Sequence, residues 1–292
     1  MLSVTAALFY SIASARLLVA LGRGRRAVLA GDSAHDYQAR PIHPAPDAAE
    51  QSLAYSSAAS RRLTLGIAAA ALCLHILVAR SLTGFPESFN MPFLTALAVT
   101  AIGVVSLQLA LCIRQPADYL GLAVYPTSAV FLLASMAAGE GHSVHGHAIQ
   151  AHILLSVLAY AVLALAAAQA ATVSIQRHHL QTHRPGGYMR ALPPLETTER
   201  LLFALLGAGF VLLTLSLGSG FFYLEDMFAQ HLVHKTVLSS AAWLIFGVLL
   251  FGRWRFGWRG RRAVHLTLAG FAVLILAYFG SKLVLELVLG RG

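Results

Sequence analysis

Thirteen histidines are spread along 292 residues, and their position relative to the apolar runs decides what their imidazoles can do. His75 lies inside one apolar run, five residues before its end, and His152 lies in the first turns of another. His231, His234 and Lys235 open a third, and Lys282 and Glu286 stand four residues apart near the end of a fourth. The stretch 139–147 adds Glu140, His142, His145 and His147 among glycines. An imidazole at membrane depth is unfavourable unless it is hydrogen-bonded or bound to a metal. Two imidazoles from different helices, facing one another in apolar surroundings, suit the axial positions of a haem iron. Aliphatic and aromatic side chains would cover the macrocycle, and a cation such as Lys235 would meet a propionate.

Each group also has a plainer account. His75 serves equally as a neutral histidine bonded to a neighbouring helix, and His152 as an imidazole just below the lipid headgroups. His231 and His234 are tolerated by water at a helix entrance. Lys235 and Lys282 can snorkel outward, and Lys282 with Glu286 has the spacing of a helical ion pair. Histidine-rich tracts can hold metal, but a glycine-rich exposed loop favours mobility over a preformed site. His142, His145 and His147 are therefore expected to be dispensable. Glu140, His142 and His145 do not have the H-E-x-x-H spacing of a hydrolytic zinc site. A proton or ion path would place carboxylates through the membrane, and the spans carry almost none.

The elements that must position these groups follow from composition. The chain is 58% hydrophobic and 11% charged, with a mean hydropathy of +0.70, which excludes a disordered chain and argues against a water-soluble globule. About 20 apolar residues carry a helix across the hydrocarbon core. Eight such runs occur, near 2–21, 62–80, 92–113, 119–138, 148–173, 200–223, 231–251 and 264–288. They are continuous rather than alternating, so the expectation is all-α, a polytopic membrane protein with eight transmembrane helices. Residues 1–292 form one integral membrane domain, with 22–61, which holds Pro41, Pro44 and Pro46, as a flexible cytoplasmic loop within it. Pro193 and Pro194 lead into Thr197 and Thr198, a plausible cap for the sixth helix.

Charge sets the orientation. The segments following runs 1, 3, 5 and 7 hold sixteen Lys and Arg, among them Arg61, Arg114, Arg177 and Arg261, against Arg80 and Arg291 on the other side. By the positive-inside rule both termini face the periplasm. The net charge of +9 reports topology, and nucleic acid drops out as a partner. Only two cysteines are present and no Cys-x-x-Cys-His, which excludes a disulfide framework, a multi-cysteine metal site and covalent c-type haem attachment. With this topology, His75, His152, His231, His234, Lys235, Lys282 and Glu286 all fall toward the outer face.

Several strings resemble one family. The run from His152 through Ile153, Leu154, Leu155, Ser156 and Val157 to Tyr160 and Ala161 is similar to the helix that follows an outer histidine in the CcsA-like cytochrome c assembly proteins. Gly257 to Ala263, then Gly270-Phe271 and Ala277 to Ser281, resembles that family's last cytoplasmic turn and helix. Pro193 to Arg200, with Leu213 to Leu215 and Gly220 to Tyr223, resembles its short YpjD/HemX-like branch. The resemblance implies a multi-pass haem-handling protein of the bacterial inner membrane, with haem b as its ligand and no catalytic turnover. His75 matches the family's intramembrane histidine and His152 its outer-face histidine. They are the expected axial pair, with His234 as the substitute if one of them fails and Lys235 as the cation for a propionate. Residues 225–235 carry no tryptophan where the haem-exporting members have a tryptophan-rich segment, and no histidine follows the eighth run. Binding or passage of haem is thus implied more than its presentation to an apocytochrome. Two other readings of the chain remain: a haem-free scaffold or regulator of a partner membrane protein, and a quinol-to-haem redox carrier.

Overall fold

Within hydrocarbon each backbone N–H must find its acceptor inside the same segment or a closed sheet, and the apolar runs here take the first course. The computed structural model describes residues 1–32, 48–84, 91–139, 146–182, 192–223 and 233–277. Among them are eight α-helices and no strand: α1 (Leu2–Asp32), α2 (Ala48–Thr83), α3 (Phe93–Arg114), α4 (Gly121–Ser135), α5 (His147–Gln181), α6 (Leu195–Tyr223), α7 (Val233–Phe256) and α8 (Arg261–Ile275). A 3₁₀ turn, Asp118–Leu120, leads into α4.

Six of these, α1, α2, α3, α5, α6 and α7, are long and apolar enough to cross a membrane. Helix α4, with Pro126 inside it, has 15 residues, about 22 Å at 1.5 Å per residue. Helix α8 is also described for 15 residues. The run expected near 264–288 continues past the described residues.

Both margins of the segment expected to be a loop, 22–61, are helical. Helix α1 extends to Asp32 and α2 begins at Ala48. Alanine, leucine and arginine before Asp32 sustain a helix beyond the apolar run. The three prolines fall in 33–47, outside the described residues. The start of α6 also differs from expectation. Pro194 precedes the helix, and its carbonyl accepts from the N–H groups of Thr197 and Thr198. Thr198 therefore lies inside the first turn rather than capping it.

Consecutive helices run antiparallel, so one end of the bundle gathers arginines, with His178, His179 and His265 among them, and His75, His147 and His152 lie toward the other. At the basic end Arg61 of α2 meets Asp118 beside α4 at 3.0 Å, and Arg177 of α5 meets Glu199 of α6 at 3.4 Å. At the opposite end Met91 and Ala96 of the α3 entrance pack on Ile153 and Val157 of α5. Two groups of helices emerge. Helix α1 packs on α2 and α4, while α5 packs on α6 and α8, and α7 touches α6 and α8. Helix α3 stands between the groups, touching α2, α4 and α5. Small residues bring the backbones close, as in other membrane bundles. A Cβ placed on Gly103 would stand 2.9 Å from that of Ala161, and one on Gly209 would collide with Leu163. The outward faces carry Leu8, Ile12, Ile76, Leu77, Val130, Leu154, Val211, Leu244 and Val248, all exposed. That is the surface a lipid solvent requires.

Candidate functional site

His75 is completely buried, eight residues before the end of α2, or about 12 Å along the helix axis. Tyr10 of α1 comes across to it: its hydroxyl lies 3.3 Å from His75 Nδ1, and the rings meet edge to face. Tyr10 stacks in turn on Tyr125 of α4. Three buried side-chain polar atoms among the described residues lack a hydrogen-bond partner: His75 Nε2, Asp118 Oδ1 and Arg177 Nε. The latter two belong to groups whose other atoms are ion-paired at the basic end. His75 Nε2 is the one in the middle of apolar helices. A buried polar atom without a partner costs about 1–3 kcal/mol. If Nδ1–H donates to the Tyr10 oxygen, Nε2 presents a bare lone pair, which is the tautomer a metal ligand needs.

His152 is half-buried near the start of α5. Its Nδ1 lies 2.9 Å from Ser219 Oγ on α6. Ser219 spends its own proton on the Ser216 carbonyl, 2.9 Å away, so its oxygen accepts from Nδ1–H. The lone pair of His152 is thereby placed on Nε2. Ser156 donates to the His152 carbonyl at 2.8 Å and meets Ser216 Oγ at 2.7 Å. A Cβ on Gly220 would stand 3.1 Å from His152 Cε1, so the ring lies over a glycine in a cradle of serines.

The two imidazoles are held by different helices. His75 has its contacts on α1 and its helix packs on α1 and α3, whereas His152 has its contacts on α6. Among the described residues no hydrogen-bond partner is common to both. His234 is the second residue of α7, and its side chain lies outside the described residues. Lys235 follows it and is half-buried. His147 is exposed at the first position of α5. Glu140, His142, His145, His231, Lys282 and Glu286 lie outside the described residues. Among those described, no three histidine, cysteine or carboxylate side chains gather as a metal-ion site.

Reasoning from ionisable side chains missed a neutral polar network toward the basic end. Tyr125 donates to Gln108 Oε1 at 3.0 Å, and Gln108 Nε2 turns to Cys112 Sγ at 3.1 Å. Tyr119 donates to Gln169 Oε1 at 3.0 Å, and Gln169 Nε2 donates to the Thr198 carbonyl at 2.8 Å. Thr198 Oγ1 then meets Gln176 Oε1 at 2.7 Å, and Gln176 Nε2 donates to the Pro193 carbonyl at 2.9 Å. Gln108 and Gln169 are visible in the sequence as amides inside apolar runs, and Gln176 lies three residues past the fifth run. Tyr10 and Ser219 carried no such signal, since their meaning depends on which helix each one faces.

A family model described as cytochrome C assembly protein matches residues 63–289. The chain belongs to that family. The match covers His75, His152, α2 from residue 63 and every later helix, but not α1, which supplies Tyr10. Among curated proteins, the inner membrane protein YpjD of Escherichia coli is 45% identical over 101 residues, which are 35% of this chain and 38% of that protein. The cytochrome c biogenesis protein CcsA of Trichormus variabilis is 30% identical over 99 residues, 33% of this chain and 27% of its own. The matched stretch thus spans less than half the length of either relative. No solved structure matches. Family and fold together make this a multi-pass membrane protein of cytochrome c assembly type.

Proposed function

We propose that the protein binds haem in the bacterial inner membrane and hands it on during cytochrome biogenesis or haem homeostasis, without catalytic turnover. The observation that carries this reading is the buried, partnerless Nε2 of His75, an imidazole nitrogen whose other ring atom is already held by Tyr10. An imidazole so placed fits one axial position of haem iron. His152 fits another, with its tautomer set by Ser219. Haem b bound there would supply an iron able to change coordination and redox state. His234 and Lys235, at the start of α7, would offer a further imidazole and a cation for a propionate. The names of the relatives, an inner membrane protein and a cytochrome c biogenesis protein, support the compartment and the process. We place eight spans in the bilayer, α4 and α8 included, with the arginine-bearing end in the cytoplasm and both termini in the periplasm.

The separate packing of the two histidines favours a specific arrangement: His75 holds haem within the first group of helices and His152 holds it nearer the outer face. The test is the absorption spectrum of detergent-purified protein, wild type, His75→Ala and His152→Ala. Two positions predict that each variant loses part of the bound haem and keeps the rest with altered ligation. A shared iron predicts that either variant converts the whole population from six- to five-coordinate. A folded, colourless wild type would overturn haem binding and leave the scaffold of a partner membrane protein as the function. Rapid reduction of the bound iron by a quinol analogue would instead point to a redox carrier.

A further inference from the structure

The basic end holds a cavity that none of the foregoing uses. It measures about 130 Å³ and lies between the last turns of α5 and the first turn of α8. Its polar lining is Ser174, Arg177, His178, Gln181, Arg261 and His265, with no carboxylate. The guanidinium of Arg177 lies directly against Gly260, whose φ is +63° and where any Cβ would strike it. Glu199 engages one terminal nitrogen of Arg177, while Nε stays buried without a partner. Two guanidiniums, two imidazoles, an amide and a hydroxyl around so small a volume make a donor-rich, positive hollow. The ligand it suits is a compact oxyanion with several acceptor oxygens. The volume accommodates a phosphate group and excludes a macrocycle.

The surroundings indicate where the phosphate comes from. Just before the turn that leads into α8, Trp254 is 81% exposed and Phe256 64%, the kind of aromatic residues that settle at the headgroup level of a bilayer. The cavity borders the same turn. Basic pockets between helices on this side of a membrane receive anionic headgroups. We infer that this cavity binds a phosphate, presented by an anionic phospholipid of the adjoining leaflet. The inference stands apart from haem, since its residues belong to the opposite end of the bundle.

Native mass spectrometry of the detergent-purified full chain tests it, with phosphatidylglycerol, phosphatidylcholine and inorganic phosphate as separate additions. The wild type should retain one phosphatidylglycerol in preference to phosphatidylcholine. Arg261→Gln, at an exposed position, should weaken that retention by about tenfold, the effect of one charge-assisted contact. Because Arg177 also pairs with Glu199, the second variant is the double change His178→Gln with His265→Gln, which should weaken retention as well. Equal retention of both lipids, or retention unchanged in both variants, overturns the site. Inorganic phosphate that displaces the lipid and alone raises the melting temperature of wild type but not of Arg261→Gln supports the phosphate assignment and overturns the lipid as its source.

Discussion

His75 and His152 solve the same problem with different neighbours. Each ring has one nitrogen within hydrogen-bond distance of a hydroxyl, from Tyr10 in one case and Ser219 in the other, and where that nitrogen carries the proton the other has the lone pair a metal needs. Groups that orient a ligating imidazole in this way typically contribute 10–100-fold to metal affinity. Tyr10→Phe should therefore reduce haem retention at His75 by about tenfold while leaving the fold intact, since only an oxygen is lost. Ser219→Ala should act likewise at His152. The measurement is haem per protein together with the spectrum. Retention unchanged in both variants would mean that the hydroxyls pack against the rings without directing them. Neither pairing is legible in the sequence, because Tyr10 lies 65 residues from His75 and Ser219 lies 67 from His152. Only the lateral register of helices brings them together. Arg16 escaped notice for the same reason: it is half-buried, its Nε donating to Thr64 of α2 at 3.2 Å.

At the scale of elements, the apolar runs announced the helices because hydrocarbon leaves the backbone so few choices. They did not announce where helices would continue into water, since alanine and arginine support a helix on either side of the interface. This is why α1 and α2 reach into the expected loop. Glycine was a poor guide until its neighbours were known. Gly103 gives α3 and α5 their close approach, whereas a Cβ on Gly66 or Gly207 would meet nothing. Gly103→Leu should force the two helices apart and lower stability by about 1–3 kcal/mol. Gly207→Leu should change it little, as read by thermal unfolding in detergent. Equal losses in the two variants would show that α3 does not wedge the helix groups. The amide network of Gln108, Gln169 and Gln176 also joins helices, nearer the basic end. Uncharged groups join helices there without the desolvation cost of ions, each bond contributing about 0.6 kcal/mol on average in membrane bundles.

For the whole molecule, the gathering of arginine at one end, opposite the end toward which His75 and His152 lie, was legible from the sequence. It needs only the order of the runs, not their packing. The separation of the bundle into two groups of helices was not legible, and it bears most on function. The orientation itself is open to direct measurement. A reporter that is active only in the periplasm, fused after residue 292, should be active, and a cytoplasmic reporter at the same place should be silent. The reverse pattern would mean that one span, α4 with its 15 residues first among them, does not cross.

The order of synthesis gives the two helix groups different histories. Tyr10, His75 and Tyr125 all lie in the first 139 residues, so the surroundings of His75 are complete while more than half of the chain is still to be made. At about 5–20 residues per second, roughly 7–27 s separate the completion of the first 139 residues from the arrival of α8. His152 and Ser219 lie in the later half, so the serine cradle forms only against a first group that is already assembled. An early haem ligand would thus find its seat at His75 on the nascent chain, before the His152 cradle exists.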